Sequence, residues 1–318
     1  MELRSHHFAL FVGCIAALLT ACGGDDKGGG NKVPDAAAEN FCPEQAPDRD
    51  ELDPSCCFRK SNADRTDSPE FRLTSLNISA PTSLDNVLIE PIIQGSLDGE
   101  TVNWLIQVSG ADADGDVTIT TGYGIRGADG TFTFAYGEAP EEDGSADRWN
   151  PIEVEGSLAG ETLSGENASA NLVIPIGSAA NPIVELPLAG VNIVKAEMSE
   201  SRSCVGSRGE DAYVSSAGEL RTFVTVEASA DIRIDQAPIN AYLCNFIAQI
   251  TDSTEKCTEV DRTDWALLPD SICDETGCTV GGCDGATTCN AWELVASFSA
   301  AGVEINESEI ADGGPDAN

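Results

Sequence analysis

The chain has 318 residues, with 54 acidic against 17 basic side chains, a formal charge of −37, 12 cysteines and two histidines. Once glycine is counted, about half of it is apolar, which is the globular range and not the disordered one. Acidity spread over the whole length excludes a nucleic-acid partner, because phosphate binding needs clustered Lys and Arg to displace counterions, and it equally excludes adsorption to anionic lipid through charge alone.

Residues 1–21 read as an export signal. Arg4 is followed by an apolar run over residues 8–19, too short to span a bilayer comfortably. The run ends in Leu19-Thr20-Ala21-Cys22, which resembles the lipobox of bacterial lipoproteins: an aliphatic residue, two small residues, then the cysteine that is lipidated and becomes the first residue. The resemblance covers this segment alone. It implies cleavage before Cys22 and a membrane anchor on Cys22. With Gly23 and not Asp after the cysteine, it also implies the outer membrane of the cell envelope.

Cleavage there removes His6 and His7 and leaves no histidine. Ser-His-Asp and Cys-His catalysis need imidazole as a base near neutral pH, and most catalytic zinc sites use it as a ligand, so these chemistries are excluded by inventory.

Residues 22–40, rich in Gly, Asp and Asn, form a flexible tether, and residues 41–67 form an irregular segment containing Cys42, Cys56 and Cys57. Residues 68–305 form a β-rich domain whose Cys-rich part spans 204–289, and residues 306–318 form a disordered tail. Period-two alternation marks strands at 102–108, 117–123 and 131–136. Strand-like runs also occupy 71–79, 87–94, 152–158, 171–176, 183–188, 191–197 and 220–227, with turn signals at Asp98-Gly99, 127–130 and Ala159-Gly160. Close spacing without crossover helices predicts an all-β fold, an antiparallel sandwich or jelly-roll-like body. A short helix is expected within 239–250, carrying Cys244 in a disulfide-rich C-terminal cap. A last strand at 292–298 is expected to return beside 71–79, which makes the Cys-rich part an insertion. Residues 95–101 are echoed at 156–162, an echo best read as two similar hairpin turns.

Ten cysteines remain after processing and lipidation: Cys42, Cys56, Cys57, Cys204, Cys244, Cys257, Cys273, Cys278, Cys283 and Cys289. An even number in an oxidising compartment points to structural disulfides, and three before residue 60 against seven after 200 require one bridge between the two groups. A zinc site at Cys273 to Cys289 is the rival; it lacks the paired C-x2-C spacing of zinc ribbons.

Asp112, Asp114 and Asp116 alternate in a turn between two strands, a donor set suited to Ca²⁺, though without the spacing of an EF-hand. No cofactor is required by any other motif. Trp149, at the end of an acidic loop, is a candidate platform for a sugar, or an anchor of that loop to the core. Gly122 to Gly127 matches the letters G-x-G-x-x-G but leads into a strand, so dinucleotide binding is rejected. The expected function is that of a lipid-anchored envelope or surface protein with a non-catalytic binding or structural role, its ligand a polysaccharide or a protein. The alternative is a carboxylate-dependent hydrolase of polysaccharide, which needs two acids and no histidine.

Overall fold

The computed structural model describes residues 48–49, 57–85, 89–135, 150–176, 183–206, 218–234, 239–250 and 254–306, all within one unit spanning residues 37–318. Cys22, Cys42, Cys56, Trp149, the side chain of Cys57, the signal and tether segments and residues 307–318 lie outside the described residues.

Eight strands make the body: β1 (Glu70–Ala80), β2 (Trp104–Ser109), β3 (Gly115–Arg126), β4 (Ile152–Ala159), β5 (Thr162–Ile176), β6 (Val184–Glu197), β7 (Gly218–Thr225) and β8 (Ala291–Gly302). Each pairs antiparallel with its neighbours in sequence. β8 pairs on its other side with β1, so the two walls of the expected sandwich run into each other and the sheet closes as an up-and-down barrel. Inward positions are apolar: Ile106, Val108, Val117, Ile119, Val154, Leu158, Val224, Leu294 and Phe298 are all buried. Outward positions carry Glu153, Glu155, Glu166 and Arg221, all exposed. This is the reverse of a membrane-spanning barrel, whose apolar band faces out.

Of the run expected as a strand at 87–94, the described residues 89–94 are not a strand. They open α1 (Glu90–Asp98), the connection between β1 and β2. Pro91 lacks the N–H that a first helical turn leaves unused, and Ile89, Ile93 and Leu97, spaced by four, bury one face over the barrel end. The echo therefore has two structures: residues 95–101 straddle the end of α1, whereas 156–162 form the β4–β5 hairpin.

The strand predicted at 220–227 ends at Thr225, whose hydroxyl accepts the Ala228 N–H at 3.1 Å and starts α2 (Val226–Ala230). The helix expected over 239–250 shrinks to α3 (Leu243–Ile247), because Ala241–Tyr242 pair with Arg233–Ile234 and Gln249 turns to a φ of +54°. The strand at the chain's end pairs with β1 as expected, Phe298 opposite Leu76, and also with β7. The residues between β7 and β8 are thus an insertion between two neighbouring strands. It lies at the same end of the barrel as α1 and packs its Trp265 against Trp292 of β8, ring centroids 6.0 Å apart.

At the opposite end, the segment before β1 is held by a polar knot. Fully buried Asn62 donates to Arg202 O at 2.7 Å and Glu70 O at 3.1 Å. Arg65 pairs with the Glu70 carboxylate, which also accepts the Ile305 N–H at 2.7 Å and fixes the segment after β8. Burial pushes the Glu70 carboxyl above its ordinary 4.5, against the lowering effect of these hydrogen bonds and of Arg65.

Two tests follow from the packing. Gly156 and Gly165 face each other across β4 and β5, and a β-carbon on Gly156 would stand 2.6 Å from Ser164 O and 2.9 Å from Ile119 Cδ1. Gly156→Ala is expected to cost about 1–3 kcal/mol in urea denaturation. Because the folded protein holds the Glu70 proton more tightly than the unfolded chain, this group's contribution falls as pH rises through its raised pKa. Unfolding free energies of wild type and Glu70→Gln, compared at about pH 4 and about pH 7, should move in the variant's favour at the higher pH. A constant difference would refute the assignment.

Candidate functional site

An open groove of 1140 Å³ lies on the outer wall of the barrel, across β3 to β7. Strand register builds it. Thr118, Glu155, Glu166, Asn192 and Arg221 are successive cross-strand partners and form one outward row. Asp116, Ser157 and Ser164 form the next outward row, with the two serine hydroxyls 3.0 Å apart. Between the rows the inward positions of β4 and β5 are Gly156 and Gly165, over which Ile119 packs.

The groove carries three carboxylates, Asp116, Glu155 and Glu166, among neutral groups, and ends on Arg221, which pairs with Glu219 at 3.1 Å and Glu293 at 3.7 Å. Glu155 stands directly opposite Glu166. Such partners have β-carbons about 4.5–5.5 Å apart, so two like charges face each other at a cost to the fold. Chemically, the row offers acceptors for the hydroxyls or amides of a polar ligand. It also places two carboxylates at facing positions of neighbouring strands, the residue type that glycosidases use in pairs.

Sequence reasoning passed over Glu155 and Glu166, yet the signal was there. A two-residue turn at Gly160-Glu161, with Gly160 at a φ of +62°, pairs Ala159 with Thr162 and so sets every later pair, Glu155 with Glu166 included.

The predicted triad is distributed differently. Asp114 accepts the Gly160 N–H at 2.9 Å, tying the β2–β3 turn to the β4–β5 turn, while Asp116 lines the groove and Asp112 stays in the turn. Among the described residues no group of three or more His, Cys, Asp or Glu side chains is placed to hold a metal ion.

The cysteines form disulfides: Cys244–Cys257, Cys273–Cys278 and Cys283–Cys289. The four sulfurs of the rival zinc reading are therefore two bridges. Cys204 is also disulfide-bonded; the expected bridge to Cys42, Cys56 or Cys57 falls on side chains outside the described residues.

A second cleft, of 670 Å³, separates β5 and β6 from the hairpin Ser271–Asp274 and Gly277–Val280. Its one cation, Arg262, is engaged in holding the insertion together. It donates to Gly285 O at 2.9 Å and Cys289 O at 2.7 Å and lies 5.2 Å over the Trp265 ring.

The chain matches no known protein family, no curated protein and no solved structure.

The facing carboxylates make a direct prediction. Glu166→Gln removes a like-charge pair at an exposed site, so it should raise the melting temperature at low salt, with the gain shrinking in about 1 M salt, where the screening length is about 3 Å. An equal gain at both salt concentrations would assign the effect to something other than charge.

Proposed function

We propose that the protein is an exported lipoprotein, anchored through Cys22 in the bacterial outer membrane, whose barrel binds a polysaccharide or protein ligand without chemical turnover. The observation that carries this reading is the apolar run ending in Leu19-Thr20-Ala21-Cys22. Three disulfides among the described residues support it, since such bridges persist in oxidising compartments. The polarity of the wall supports a body standing in water on a tether and not inserted in lipid. The binding surface in this reading is the outer groove, with Asp116, Glu155, Glu166 and Asn192 as hydrogen-bonding groups.

One observation favours a second reading, hydrolysis of a glycan by two carboxylates: Glu155 and Glu166 are paired across β4 and β5 in an open groove.

Mass spectrometry of the membrane-extracted protein checks the anchor. The mature chain should begin at a lipid-modified Cys22 and lose the modification in Cys22→Ala, and retention of Met1 would overturn the anchor and the histidine argument together. A polysaccharide panel checks the rest. Saturable binding without turnover, weakened in Glu155→Gln and Glu166→Gln, is expected. Turnover abolished by either change would replace the binding reading with the hydrolase.

A further inference from the structure

The cleft between β5, β6 and the hairpin Ser271–Asp274 and Gly277–Val280 plays no part in the groove reading, and the two share no lining residue. Its 670 Å³ falls within the roughly 300–1,000 Å³ of small-molecule sites, and it lies where the insertion meets the barrel, a junction of the kind such sites favour. A break in a ladder makes its floor. Asn167 pairs with Val191 and Asn171 with Ala189, so Ala168, Ser169 and Ala170 bulge opposite Gly190 alone. Gly190 sits at a φ of +65°, and a β-carbon there would stand 3.3 Å from Ala168 O. The hairpin wall is fixed. Asn290 accepts the Cys273 N–H at 2.7 Å and donates to Cys273 O at 2.8 Å, and the Cys273–Cys278 bridge crosses the two strands.

Charge is graded along the lining. Arg262 is half-buried, and its guanidinium is held before any ligand arrives. Both hydrogens of Nη1 go to Gly285 O and Cys289 O, and the group lies 5.2 Å over the Trp265 ring. Among the described residues no carboxylate pairs with it, and the edge formed by Nε and Nη2 is not engaged. That edge is a fork of parallel N–H donors matched to a carboxylate. The exposed part of the same lining is acidic, with Glu227 on α2 and Asp274 and Glu275 at the hairpin turn. Asp274 is partly occupied, accepting the Thr276 N–H at 2.7 Å and its hydroxyl at 2.6 Å. A simple anion drawn to Arg262 would have to pass three carboxylates, and a simple cation would end facing a guanidinium. A molecule that carries both charges meets a partner for each.

We propose that this cleft binds a short peptide as a zwitterion, its terminal carboxylate forked on Arg262 and an ammonium group held by Glu227 and Glu275. Asn171 and Thr258, on the same lining, offer amide and hydroxyl groups to the peptide backbone. The inference concerns this cleft alone and depends neither on the anchor nor on the outer groove.

Calorimetric titration of the purified protein with the dipeptide lysylalanine at low ionic strength tests it. One saturable site is expected, with affinity at least about tenfold lower for the C-terminal amide of the dipeptide and for its diacetylated form. Glu227→Gln combined with Glu275→Gln should lower the affinity for lysylalanine by a similar factor. In Arg262→Gln the acid and the amide should bind alike. Where loss of the bonds to Gly285 and Cys289 lowers the melting transition of that variant, the wild-type comparison of acid and amide decides by itself. No saturable binding at about 10 mM dipeptide would overturn the proposal, as would an amide that binds as tightly as the acid. Unchanged affinity in the double glutamate variant would do the same, by placing the peptide elsewhere on the acidic surface. Each of these results would leave the lipoprotein and groove readings standing.

Discussion

Strand β8 is the element on which the rest of the molecule depends, because it is hydrogen-bonded along both edges, to β7 on one side and β1 on the other. A meander of seven strands would leave two open edges, each a row of unpaired N–H and C=O groups and a template for aggregation. β8 removes both. It joins the end of the domain to its beginning, so the last strand placed is the one that creates the inside. Phe298 of β8 packs into that inside against Gly218 of β7, where any β-carbon would stand 2.7 Å from the ring. Small residues at the end of β8 serve the same closeness: Ala301 and Gly302 let the segment at Phe58 to Lys60 lie against the barrel, with the Arg59 and Lys60 N–H groups donating to Gly302 O.

Closure also sorts the charge. A chain of −37 can fold compactly only if its carboxylates stay apart or in water, and an apolar lumen with an acidic outer wall achieves this. Several cations stand where a carboxylate is buried. Glu100, in the left-handed region at a φ of +53°, receives both Arg59 and Arg126, while Asn103 donates to its carbonyl at 3.1 Å. Arg72 completes the cluster. Burial lowers its guanidinium to about 10, with Glu100 acting in the opposite direction, so it remains charged at neutral pH. This cluster fastens α1, β1, β3 and the N-terminal segment to one another. The Asn62, Arg65 and Glu70 knot does the equivalent at the other end.

The Cys-rich insertion follows a different economy. It has short helices, a four-residue-stranded hairpin and bends, and its regular structure is too sparse to hold itself through backbone ladders alone. Cross-links and a few anchors replace the ladders. Cys244–Cys257 is fully buried, Cys273–Cys278 pins the hairpin, and Arg262 with Trp265 fixes the loop that carries Cys283–Cys289. Such bridges stabilise chiefly by limiting the unfolded chain, which matters most where few apolar contacts form.

The sequence by itself determined the antiparallel all-β character, most of the strands, the return of residues 292–298 to the first strand and the disulfides of the C-terminal cysteines. These rest on period-two alternation, close spacing and counting, all of which are local or arithmetical. It misread 89–94, because a short apolar run has no period of its own until one face is buried, and it overextended the helix at 239–250. Only the tertiary structure decided that the sheet closes, since closure depends on β8 having a second partner far away in sequence. Only it brought Asp116, Glu155 and Glu166 into one groove and separated Asp114 into a turn-to-turn hydrogen bond. Each of those outcomes is set by register and by the fit of side chains across strands, quantities that a linear pattern of residues does not contain.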